Sequence, residues 1–151
     1  MTSGEEQALA ERVVSSMMAA DSFSQALGME VVEVRPRAAT VRMTVRDDMR
    51  NGFGVCHGAV PFALADSALA FASNTHGNVT VSIENSITYP RAIAPGDVLT
   101  AVAEQESETN RLAFFRVTVT RGAGGGGGQE IVALFRGTVY KTNRPFFSAS
   151  T

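Results

Sequence analysis

Residues 59–73 read "AVPFALADSALAFAS", apolar or tiny almost throughout, with a single carboxylate, Asp66, two turns in. A surface helix keeps one polar face, so a segment apolar around most of its circumference must be covered on most sides. The uninterrupted character ends by residue 72 and is broken at Asp66, short of the roughly 20 residues that cross a bilayer. The stretch therefore predicts a core helix and no membrane association. Pro61 fits only its first turn, which sets the start near Gly58, and the Gly- and Asp-rich "DDMRNGFGVCHG" before it reads as a loop.

The rest of the chain has to supply the cover. Residues 4–27, "GEEQALAERVVSSMMAADSFSQAL", carry acids in the first turn and Gly28 as terminator, predicting one or two amphipathic helices. "MEVVEVRPRAATVRMTVR" alternates Val with polar residues about Pro36, the pattern of a hairpin with one buried face. Four β-rich segments follow "NTHGN": "VTVSIENSITYP", "DVLTAVAEQE", "RLAFFRVTVTR" and "EIVALFRGTVYK". The breaks "RAIAPGD" and "SETN" between them predict hairpin-like connections. Sequential antiparallel strands around one buried helix are an α+β class, and 151 residues make one domain, 1–151, with a loosely held tail from about residue 145. The glycine run 122–128 lacks a following helix, so it reads as a hairpin tip and not as a phosphate loop.

Composition narrows the function classes. A net charge of -2 and a pI near 5.7 leave no basic footprint for nucleic acid. The acidic opening "MTSGEEQALAERVV" lacks the pattern of a signal peptide, and the lone Cys56 can form no internal disulfide, which points to the cytoplasm. Two histidines and one cysteine without ligand spacing predict no metal site, and no cofactor is implied.

A charge removed from water needs partners, a raised pKa or a functional role. Asp66 has two readings on sequence alone: a structural carboxylate that faces solvent or accepts hydrogen bonds from Ser67 or a neighbouring strand, or a reactive group. The helix start favours chemistry, because first-turn N–H groups and the helix dipole stabilise a negative oxygen and Gly58 admits a ligand closely. Gly58 and Asp66 stand eight residues apart, about 12 Å along the helix. One reacting carbon cannot touch both, so joint action requires the Asp of a second copy, as in a twofold dimer.

The stretches "NGFGVCHGAVPFALADSALAFASN", "VSIENSITYPRAIAPGD" and "ALFRGTVY" resemble the hotdog-fold acyl-CoA thioesterases, in particular the phenylacetate-pathway, PaaI-type subgroup. The likeness runs from about residue 29 to 140. It implies a long central helix wrapped by a curved antiparallel sheet, homodimers with active sites between subunits, commonly paired into homotetramers, and hydrolysis of an aryl-acetyl-type acyl-CoA without metal or cofactor. By the same resemblance Gly58 gives an N–H to the thioester oxygen, with His57 beside it. Asp66 of the partner chain activates water or attacks the carbonyl, Asn51 positions the carbonyl or the water, and Ser82 lies near the water. Ala59 departs from the second glycine common after His–Gly, which bears on the shape of the acyl pocket.

Other residues have competing readings. Cys56 and His57, as sequence neighbours, diverge and do not make a nucleophile pair. Phe62, Phe71, Phe114, Phe115 and Phe135 fit core positions, and His76 is a loop residue. Arg91, Arg136 and Lys141 are candidates for CoA phosphates against ordinary surface charge. A hotdog-fold hydroxyacyl thioester dehydratase or hydratase and a non-catalytic acyl-CoA sensor stand as alternative functions.

Overall fold

The structure is a computed structural model that describes residues 1–122 and 129–149. Helix α1, Ser3–Ala20, opens on a capping box between Thr2 and Glu5, and Asp21 interrupts it by capping the short α2, Ser22–Ala26. Strands β1 (Glu30–Arg35) and β2 (Ala38–Thr44) form the expected hairpin, turned at Arg37, whose φ of 64° is left-handed. The Arg37 N–H is held by Thr75 Oγ1 at 2.8 Å. After a short 3-10 turn, Asp47–Met49, comes α3, Ala59–Asn74, then β3 (Asn78–Thr88), β4 (Val98–Glu108), β5 (Leu112–Gly122) and β6 (Glu130–Pro145).

The described strands form one antiparallel sheet in the order β1-β2-β4-β5-β6-β3. Helix α3 lies against β2, β3, β4, β5 and β6, and α1 packs on α3 and β1. This is the hotdog arrangement: a curved sheet around a central helix. Leu64, Ala65, Ala68 and Leu69 of α3 are fully buried against Val41, Leu99, Ala101, Val117 and Phe135 of the sheet. Burying a leucine-sized side chain contributes about 1.5–3 kcal/mol. No described helix is long and apolar enough to cross a membrane.

Two expectations need correction. The connection "RAIAPGD" is not hairpin-like: β3 pairs with β6 at one edge, whereas β4 lies inside the sheet between β2 and β5. Residues 89–97, stiffened by Pro90 and Pro95, cross the end of the molecule and are tied to the loop before α3. Cys56 N–H donates to Ile93 C=O at 2.8 Å, and Val45 N–H to Asp97 C=O at 2.9 Å. Phe114 is not core; strand alternation buries Phe115 and turns Phe114 to the outer face. The helix is covered on most sides, as its composition requires, and Ala59, Phe62, Ala63, Asp66 and Ala70 stay open or partly open as one stripe along it. Phe62 is the one large apolar side chain on that stripe.

The tail is tied in where it begins. Phe146 N–H donates to Gly77 C=O at 2.7 Å, and Arg12 lies 4.6 Å over the Phe147 ring. Beyond Gly122, the glycine-run reading falls on residues 123–128, outside the described residues.

Gly137 of β6 sits under α3 where a Cβ would collide with Leu69 Cδ2 and stand 2.8 Å from Asn85 Oδ1. Leu69 is fully buried. Gly137→Ala is therefore expected to destabilise the fold by about 1–3 kcal/mol through overpacking, read as a lowered denaturant midpoint with unchanged slope.

Candidate active site

Two clusters of polar groups form, at different places on α3. The first is at its N-terminus. The loop is closed by Asn51, whose N–H donates to Val55 C=O at 2.7 Å and whose Oδ1 accepts from Phe53 N–H at 2.9 Å and Val55 N–H at 3.3 Å. Its oxygen is thus committed to the loop, while Nδ2 has no partner among the described residues. His57 N–H donates to Met49 C=O at 2.8 Å, which seats the next residue, Gly58, as the helix cap.

The Gly58 N–H has no partner among the described residues. The Ala59 N–H does: it donates to His57 Nδ1 at 3.0 Å. With Nδ1 accepting, the neutral imidazole carries its proton on Nε2, and the exposed ring presents a second donor beside the Gly58 N–H. Tyr89, at the end of β3, donates its hydroxyl to Gly58 C=O at 2.8 Å. A Cβ on Gly58 would meet that hydroxyl at 3.2 Å, a contact the exposed phenol relieves by giving way a few tenths of an ångström.

The second cluster surrounds Asp66. Asn85 of β3 donates from Nδ2 to Asp66 Oδ1 at 3.4 Å, and Ser82 Oγ donates to Asn85 Oδ1 at 2.9 Å. Ser67, a candidate partner of Asp66, points elsewhere, to a buried pair with Ser24 at 2.8 Å; Ser24 in turn donates to Asp21 Oδ2 at 2.6 Å. Burial pushes the Asp66 carboxyl above its ordinary value, the Asn85 hydrogen bond opposes this, and the negative charge of Asp21 adds to the rise. Asn85 and Tyr89 were absent from the sequence reading. Both lie in "VSIENSITYP", within the stretch that carried the resemblance, and only the register of β3 shows where they point.

One chain does not bring the two clusters together; the helix holds Gly58 and Asp66 about 12 Å apart. A cavity of about 620 Å³ between α1, α2 and β1, lined by Val14, Met18 and Met29 among others, touches neither. Cys56 is buried and its thiol is pushed up to about 11, chiefly by burial and further by the Asp97 charge, so it is no nucleophile at neutral pH. Arg91, Arg136 and Lys141 each already pair with an acid, Glu130, Glu106 and Glu108 respectively.

The chain has recognisable relatives. The family profile described as the thioesterase superfamily matches residues 53–127. A putative esterase of Archaeoglobus fulgidus is 36% identical over 91% of this chain and 86% of its own length. The acyl-coenzyme A thioesterase PaaI of Escherichia coli is 33% identical over 80% of this chain and 83% of its own. The solved structure of the E. coli PaaI protein from the phenylacetic acid degradation operon superposes with a TM-score of 0.86 at 30% identity, covering 92% of this chain and 97% of that one.

Two measurements check the electrostatics. A carboxyl whose pKa is higher folded than unfolded lowers stability once pH rises past its ordinary value of 3.8, and has no such effect below it. Asp66→Asn is expected to raise the melting temperature at pH 7, and the gain should vanish as the pH is brought down towards 3. Cys56 in the native protein should alkylate at pH 8 on the order of 100-fold more slowly than in the unfolded chain, as timed by mass spectrometry.

Proposed function

Because the chain belongs to the PaaI-type thioesterases of the thioesterase superfamily, and is a thioester hydrolase, we propose that it cleaves acyl-CoA thioesters at a site shared between two protomers. The observation that carries this reading is the split between the clusters: free donors at Gly58 and His57, and a half-buried carboxylate at Asp66, on one rigid helix but too far apart for one carbon. The donors of one protomer and the carboxylate of its partner are complementary halves.

The partner surface is strand β3. It is an edge of the sheet, it carries Ser82 and Asn85 beside Asp66, and it exposes Val81 and Ile83, 48% and 57% accessible. A long edge strand with apolar side chains is an unmanaged pairing template in a monomer. A second copy paired along it satisfies the edge and brings the opposite halves together, giving the homodimer; homotetramers follow if such dimers pair in turn.

At this site the thioester oxygen lies against Gly58 N–H and His57 Nε2–H, which stabilise the charge that develops on attack. Asp66 of the partner activates water or attacks the carbonyl directly, and the CoA thiolate leaves without an acid. Asn51 keeps the loop in shape through its oxygen and offers its amide nitrogen towards the substrate side. Ser82 lies on the Asp66 side of the site. No metal or cofactor takes part. An aryl-acetyl group suits the acyl end, because Phe62, one turn beyond Gly58 and only partly buried, stands edge-on to Phe135 at 5.3 Å. The operon context of the E. coli relative supports the same substrate class. The cytoplasm is the compartment in which acyl-CoA would be met.

Asp66→Asn should abolish turnover while retaining acyl-CoA binding. Gly58→Pro deletes the N–H at a φ of -59°, which proline accepts, and should lower kcat about 100- to 1,000-fold. Mixed and reassembled in equal amounts, the two inactive variants should recover about a quarter of wild-type activity, since half the dimers then hold one intact site. No recovery, or a fully active monomer in sedimentation, contradicts the shared site. A panel of aryl and alkyl CoA thioesters with thiol detection identifies the acyl group, and oxygen-18 labelling in single turnover separates base from nucleophile.

A further inference from the structure

Asn85 differs from the other buried or half-buried asparagines in what its side chain serves. Asn74 bonds backbone groups, accepting from Thr80 N–H at 3.0 Å and donating to Ala70 C=O at 2.8 Å, and Asn51 closes its own loop. Asn85 bonds no backbone group: its oxygen accepts from Ser82 Oγ, and its nitrogen donates to Asp66 Oδ1. It caps nothing and closes no turn. A half-buried amide on a strand is costlier than an apolar side chain of the same size unless its bonds are made. Its place is nonetheless built for it, since Gly137, directly opposite in register, leaves the space that any Cβ would take from Asn85 Oδ1.

The carboxylate fixes which way the amide faces. An ionised Asp66 only accepts, so Nδ2 stands on its side and Oδ1 is left to accept the Ser82 hydroxyl proton. Oδ2 of Asp66 carries no bond within the described residues. The trio therefore runs in one direction, hydroxyl to amide to carboxylate, and ends on one free oxygen.

Resting on the reading of Asp66 as the reactive carboxylate, we propose that Asn85 is its positioning residue, holding Oδ1 so that Oδ2 meets the substrate or water, and that Ser82 acts through Asn85. The 3.4 Å separation is long for such a bond, as is common for catalytic contacts before substrate closes the site. A donor on a carboxylate favours its charged form, so losing the amide moves Asp66 titration to higher pH.

The test uses Asn85→Leu, Asn85→Ala, Ser82→Ala, the double variant Ser82→Ala with Asn85→Leu, and Asp66→Asn. Two readouts are taken: the pH profile of kcat, and the titration of Asp66 followed through its ¹³C-labelled carboxyl by NMR in the intact oligomer. In Asn85→Leu, kcat should fall about 10- to 100-fold with KM within about threefold, and the acid limb and the Asp66 titration should rise together. Asn85→Ala, which adds no bulk, gives the same two readouts should leucine not be accommodated. The Ser82→Ala loss should be smaller and should disappear in the double variant, because both act on one chain of bonds. An Asp66 titration that stays put without Asn85 overturns the proposal while leaving Asp66 catalytic, provided Asp66→Asn is dead. Independent, multiplying losses at Ser82 and Asn85 overturn the role of Ser82 through Asn85. Near-normal turnover by Asp66→Asn overturns both this proposal and the reading beneath it.

Discussion

The packing of α3 into the curved sheet governs everything else in this molecule. A helix this apolar has to be covered, and the sheet and α1 cover it on every side but one. Alanines at 59, 63 and 70 face the uncovered line at small cost, Phe62 is its one large apolar side chain, and Asp66 is its only polar one. The carboxylate is thus held at a boundary, desolvated enough for its proton affinity to rise and open enough to be reached.

The same packing separates the two polar clusters. The donor end of α3 is fastened by the 89–97 crossing, the 51–55 loop and Tyr89, whereas the carboxylate in its middle is fastened by β3. His57 shows how tightly the donor end is specified: its ring accepts the Ala59 N–H, and this alone decides which ring nitrogen carries the proton offered outward.

Much of the fold was legible in the residues. The apolar run marked α3 and its start at Gly58, and the Val alternation marked the hairpin. The strand order was not. Short breaks between β segments suggest neighbours, but residues 89–97 hold Pro90 and Pro95 and their polar backbone is satisfied by the loop before α3, so the chain crosses the molecule there instead of turning back. Asp66 and Gly58 stood out by type and spacing, whereas His57, Asn51 and Ser82 entered only through the family resemblance. Asn85 did neither, because in a regular strand residues three apart face opposite ways and Ser82 and Asn85 could not meet.

They meet because of one residue. Ser82 lies opposite Val139 and Glu84 opposite Thr138, so Ile83 is a supernumerary residue that bulges the strand. Upstream of Ile83 the even-numbered Ser82 faces the helix; downstream the odd-numbered Asn85 and Ile87 do. The strand is two half-strands of opposite phase spliced at an isoleucine. Shortening it by that single residue would leave every hydrogen-bonded ladder possible, yet one half would present its wrong side, exiling either the hydroxyl or the amide together with Ile87. The reach from strand to carboxylate is therefore set by a counting irregularity, a kind of information that side-chain chemistry alone does not carry.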